Sequence, residues 1–206
     1  MPEYALAAVM LIALCIYMLT AGADFGGGIL DLFSIGPRAY KQRDLIAKTL
    51  APIWEANHVW LILIIVLLFV CFPPVFETMS IILHIPITLL LIGIVLRGSA
   101  FAFRSHDAES AHKHWSVIFA IGSIITPFML GLCLGTIASG RIPLIPVTES
   151  LNFAQYFITP WLQPFPILVG ILTLWLCALL SSLYLLQRTS DFELQRDFRI
   201  RAFVFA

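Results

Sequence analysis

Five stretches of this chain stay apolar for about 20 residues, the length a helix needs to cross a hydrocarbon core ~30 Å thick. They are Tyr4 to Ala23, Pro52 to Phe72, Met79 to Leu96, Trp115 to Ala138 and Phe165 to Leu186. A backbone inside lipid has no water to bond, so runs of this kind must satisfy their own N–H and C=O groups as helices. The expected fold class is therefore all-α, a polytopic transmembrane helical bundle in which residues 1–206 form a single integral membrane domain. A sixth span is expected to open at "RAFVFA", Arg201 to Ala206, in a chain cut short there. The composition agrees: 60% of residues are hydrophobic and 12% charged, where soluble domains hold roughly half and a quarter. Tyr4 to Ala23 ends in small residues like a signal peptide, but only Glu3 precedes it in place of a basic region, so it reads as a retained span.

Charge is balanced overall, with 12 basic and 12 acidic side chains, so no global field attracts nucleic acid. Its distribution is informative. Arg38, Lys41, Arg43 and Lys48 follow the first span, Arg97, Arg104 and Lys113 the third, and Arg188, Arg196, Arg199 and Arg201 the fifth. The intervening loops, "FPPVFET" and "SGRIPLIPVTESLNFAQYFITP", hold one arginine between them. Short basic loops stay in the cytoplasm, which places the N-terminus outside. The stretch "ILDLFSIGPRAYKQRDLIAK" reads as an amphipathic connector at the cytoplasmic surface. Gly22 and Gly26, and Gly131 and Gly135, have the four-residue spacing that lets helix backbones approach closely, and Pro127 is expected to bend the fourth span. The four cysteines fall singly in or beside apolar runs and read as inert packing residues.

Ionisable groups at membrane depth are functional hypotheses by default. In "GADFGGGILDL" the carboxylate of Asp24 sits where the first span yields to three glycines. It reads either as a cap of the following segment or as a proton-accepting group at the mouth of a path. In "APIWEANHVWLI" Pro52 suits a first helical turn, which puts Glu55 at the same cytoplasmic depth. Glu55 and His58 share a helix face, with Trp54 and Asn57 beside them. That turn is a proton relay or a satisfied polar knot. Arg97 and Arg104, seven apart, share a face, and snorkelling to lipid phosphate accounts for them; one could be a counter-ion to Glu55. His58 and His84 lie over ~10 Å apart in depth, too far to ligate one heme together. "SHDAESAHKHW" gathers His106, Asp107, Glu109, His112 and His114 without zinc-like spacing and reads as a solvated loop, so no metal site is expected.

"GADFGGGILDL", "APIWEANHVWLI" and "LRGSAFAFR" resemble, in order and spacing, the N-terminal half of subunit II of the cytochrome bd family of quinol oxidases. The resemblance implies a respiratory complex of the bacterial cytoplasmic (inner) membrane. In it, quinol passes electrons through b-type hemes to heme d, where oxygen becomes water. The hemes and the quinol site are then expected in subunit I, with this chain as its essentially heme-free partner and a small single-span subunit as a further companion. It also implies a hydrophilic proton path from the cytoplasm at Asp24 and Glu55. Two departures stand out: most of the family's second set of helices is absent, and Ala102 stands where an acid is expected between the phenylalanines. The rival readings are a proton- or cation-coupled secondary transporter, which calls for discontinuous helices near the midplane, and a purely structural membrane partner.

Overall fold

The computed structural model describes residues 2–104, 112–140, 142 and 152–206, leaving out the side chains of residues 2, 51, 52, 55, 104 and 112–114. Eight helices occur among the described residues: α1 (Pro2–Leu32), α2 (Ala39–Cys71), α3 (Pro73–Ile82), α4 (His84–Arg104), α5 (His112–Ala138), α6 (Phe153–Phe157), α7 (Pro164–Arg188) and α8 (Phe192–Phe205). Four of them, α1, α4, α5 and α7, are long and apolar enough to cross a membrane, and a fifth span results if α2 and α3 count as one broken element. Those two helices are bent by 115° at Phe72, where the Pro73-Pro74 pair starts a new helix. Proline at a first turn gives up no intrahelical bond, so the break is placed where it costs least.

Several boundaries differ from expectation, for one physical reason. In lipid the cost of leaving a helix exceeds the conformational cost of glycine, so α1 runs unbroken through Gly26, Gly27 and Gly28 to Leu32. Asp24 is therefore an interior helical residue, and the capping role does not apply. Likewise α2 begins at Ala39, which puts Pro52 and Glu55 well inside it rather than in a first turn. The third apolar run is divided at Leu83 between α3 and α4, and Pro127 lies within α5 without ending it. The amphipathic connector shrinks to a turn at residues 33–38 between α1 and α2.

Packing follows the small residues. α1 presents Tyr17, Ala21, Phe25 and Ile29, at four-residue intervals, to Cys177 and Ala178 of α7. Contact this close requires glycine: a Cβ on Gly26 would stand 1.9 Å from the Cys177 carbonyl oxygen. Gly131 and Gly135 give α5 the same access to Gly170, Thr173, Pro166 and Val169 of α7. Gly93 and Gly122 do so between α4 and α5. Both glycine pairs noted in the sequence thus serve one helix, α7.

At the end that carries the basic residues, α8 is latched across the turn at 33–38. Arg38 donates from Nε and Nη2 to Asp197 at 2.9 and 2.7 Å, and Gln42 Nε2 donates to the same carboxylate at 2.8 Å. Arg201 donates to the carbonyl of Phe33 at 3.0 Å and to Gln42 Oε1 at 2.7 Å. The segment expected to begin a span at Arg201 is thus the last part of α8, which starts earlier, at Phe192. The Arg38 guanidinium holds the Asp197 carboxyl below its usual range.

Two predictions follow from this packing. Gly26→Ala must push α1 off the α7 backbone and is expected to cost ~1–3 kcal/mol or more. At Gly22 the nearest obstacle is the flexible tip of Leu180 at 2.9 Å, so Gly22→Ala should be milder; thermal unfolding in detergent compares the two. The depressed Asp197 group stabilises the latch fully above the ordinary carboxylate value of about 3.9, and that contribution is lost as pH falls through its lower folded value. Protection of the α8 amides, corrected for the intrinsic pH dependence of exchange, should therefore fall on acidification in the wild type, whereas Asp197→Asn should be poorly protected at neutral pH with little further acid effect.

Candidate functional site

Asp24, on α1, and Arg97, on α4, form an ion pair with each side chain 2% exposed. Arg97 donates from Nη1 to Asp24 Oδ2 at 2.6 Å and from Nη2 to Oδ1 at 2.5 Å, the bidentate geometry a planar guanidinium favours. Nη2 also donates to the Asp24 carbonyl at 3.0 Å, and Nε donates to Ser123 Oγ, on α5, at 2.9 Å. The rings of Phe25 and Phe119 flank the guanidinium, with centroids 4.8 and 5.0 Å from its carbon. Desolvating two charges is costly, and close bidentate geometry with further hydrogen bonds, as seen here, offsets much of it. Local sequence makes the approach possible: a Cβ on Gly28 would stand 2.0 Å from Ser123 Oγ, and one on Gly122 3.1 Å from Arg97 Cβ.

From α2, Asn57 joins the pair; its Nδ2 donates to Asp24 Oδ2 at 3.4 Å, and the residue is 2% exposed. Trp54, one turn nearer the basic end, stacks on Phe101 of α4 at 5.9 Å. Between them lies a cavity of about 10 Å³ lined by Asp24, Leu50, Trp54, Arg97, Phe101 and Phe119, roughly the room of a single water. His58 stands edge-on to Trp54, and its Nδ1 is 2.8 Å from the Trp54 carbonyl. A carbonyl can only accept, so Nδ1 carries a proton and, in the neutral ring, Nε2 is left as acceptor. Glu55 lies on the same turn of α2, with its side chain outside the described part of the structure, as is that of Arg104.

Asp24, Asn57, Trp54 and Arg97 are thus brought into one cluster, with His58 joined to it through Trp54. Arg97 does not snorkel to lipid; its guanidinium is paired with Asp24 in the bundle interior. Ser123, Phe25 and Phe119 were not singled out in the sequence. Ser123 offers a signal only in retrospect, as one of a few hydroxyls in the apolar helix α5.

His84 bonds the Ile81 carbonyl through Nδ1 at 2.9 Å and packs on Phe157. The two membrane histidines therefore sit on separate helices in separate surroundings. Among the described residues no group of three His, Cys, Asp or Glu side chains could hold a metal ion. His106, Asp107 and Glu109 lie outside the described residues, as do the side chains of His112 and His114.

Fold and cluster together define an all-helical integral membrane protein that joins its helices through a buried, bidentate ion pair. The chain belongs to the cytochrome bd terminal oxidase subunit II family, whose model matches residues 2–206. It is 31% identical over 169 residues to the cytochrome bd ubiquinol oxidase subunit 2 of Bacillus subtilis, covering 82% of this chain and 48% of that protein. To the cytochrome bd-I ubiquinol oxidase subunit 2 of Escherichia coli K12 it is 27% identical over 177 residues, covering 84% and 45%. The chain thus spans about half the length of these relatives. Its fold matches a chain of the bd oxidase from Geobacillus thermodenitrificans with a TM-score of 0.80 at 20% identity, covering 98% of this chain and 60% of the other.

The ion pair makes a stability prediction. Asp24→Asn or Arg97→Gln alone leaves one buried charge without its partner and should cost roughly 3–5 kcal/mol. The double variant should cost clearly less than the sum of the two, since it leaves neither charge. Thermal midpoints of the four proteins measure the coupling.

Proposed function

We propose that this chain serves as subunit II of a quinol:oxygen oxidoreductase in the bacterial inner membrane, docked helix to helix on a heme-bearing subunit I. A small single-span subunit would complete the assembly. The b-type hemes, heme d and the quinol site would belong to subunit I and supply the redox chemistry. This chain would supply a route for protons from the cytoplasm to the oxygen-reducing heme, with Asp24 and Glu55 as its acids, His58 beside them, and Asn57 and Trp54 lining it.

The observation that carries this reading is the polar cluster itself. A carboxylate buried at 2% exposure lies near the basic end of the bundle, on the side expected to face the cytoplasm, with a water-sized cavity beside it and Asn57 on its far side. Polar groups at such depth are costly and mark transfer routes in membrane proteins. Protons drawn from the cytoplasm while quinol releases its own outside would build a proton-motive force without a pump.

A second reading, a purely structural partner, draws on the same pair: with four hydrogen bonds and two ring contacts on Arg97, the cluster would serve as a tie between helices. The readings diverge at Glu55, which stands on the same turn of α2. On the proton-route reading, Glu55→Gln in the assembled complex should lower quinol-driven oxygen uptake by about 10²-fold or more while the reduced-minus-oxidised heme spectrum stays unchanged. Uptake at the wild-type rate with normal hemes would favour the structural tie.

A further inference from the structure

Asn57 is 2% exposed, yet its Oδ1 finds no hydrogen-bond partner among the described residues. Its orientation is fixed by chemistry. Nδ2 faces Asp24 Oδ2 at 3.4 Å, and exchanging the amide's nitrogen and oxygen would set two acceptors against each other. Oδ1 must therefore point elsewhere, and a buried carbonyl oxygen is rarely left without a donor.

A donor is available at the same corner. Of the five guanidinium hydrogens of Arg97, one on Nε goes to Ser123 and three go to Asp24, so one on Nη1 has no acceptor among the described residues. Nη1 and Asn57 Nδ2 converge on one atom, Asp24 Oδ2, at 2.6 and 3.4 Å. An unfilled acceptor and an unfilled donor thus flank a single carboxylate oxygen.

We propose that this corner is an internal water site. The bound water would accept from Arg97 Nη1 and donate to Asn57 Oδ1, with its second hydrogen available to Asp24 Oδ2 or to the next group beyond. That is the two to four polar partners a buried water requires. The cavity lined by Leu50, Trp54 and Phe101 lies toward the basic end of the same pair, whereas Asn57 lies one turn farther into α2. The site therefore continues the hydrated cluster past Asp24 toward the bundle interior. Asn57 is its positioning residue. That role rests on the proton-route reading; the water site itself does not.

The test uses the intact oxidase complex. A cryo-electron microscopy map that resolves ordered water should show a peak within hydrogen-bond distance of Asn57 Oδ1 and Arg97 Nη1. Infrared difference spectra should show an internal-water O–H band that shifts in heavy-oxygen water and is lost in Asn57→Leu. A protein or lipid atom against Oδ1, or an empty corner in the wild-type map, overturns the proposal, whether or not the variants assemble. Loss of the band in Asn57→Leu with unchanged oxygen uptake and normal hemes would uphold the water site and overturn the proton route.

Discussion

The bidentate pair between Asp24 and Arg97 is the contact on which the bundle's architecture turns. It joins α1 to α4 directly, reaches α5 through Ser123 and Phe119, and reaches α2 through Asn57. Two charges withdrawn from water hold together only where geometry is close to ideal, so the surrounding helices must come near enough to provide it. Glycine at positions 28, 93 and 122 permits that approach, because any Cβ there would meet a neighbouring helix within 3 Å. The glycine-rich stretch after Asp24 is thus explained by packing rather than by a turn.

Polar contacts come in two kinds with different sensitivity to solvent. The inner cluster is buried between apolar rings and is little screened by salt, whereas the latch at the basic end lies partly in the open, with Arg38 40% and Glu193 63% exposed. Exposed pairs of that kind contribute little each and weaken with ionic strength. The latch gains from being a network, in which Asp197 accepts from both Arg38 and Gln42 while Arg201 ties Gln42 back to the end of α1. Solvent conditions should therefore act on α8 and the turn at 33–38 well before they reach Asp24.

The long apolar runs were legible because lipid leaves the backbone only one economical way to fold, and the buried carboxylate was legible because charge at that depth demands a reason. Glycine spacing also pointed correctly to close helix contacts, though not to the shared partner α7. What the sequence hid were relations across distance. Asp24 and Arg97 are 73 residues apart, and nothing local separates an arginine that snorkels from one that turns inward. Helix ends were misplaced where rules from soluble proteins were applied to Pro52 and the three glycines, since those rules assume that water can receive a broken backbone bond. Ser123 went unnoticed because one hydroxyl in an apolar helix usually bonds its own backbone, as Thr126 does here to the Gly122 carbonyl.

On the proposed function, the Asp24 cluster conducts protons as well as joining helices. The most direct measurement is proton uptake from the basic-loop side during a single reaction with oxygen, in the assembled complex reconstituted into liposomes. It compares the wild type with the Asp24→Asn/Arg97→Gln double variant, which leaves no unpaired buried charge. The expected result is slowed proton uptake at unchanged heme content. Proton uptake at the wild-type rate, with only a lower thermal midpoint, would contradict it and leave the pair as a structural tie.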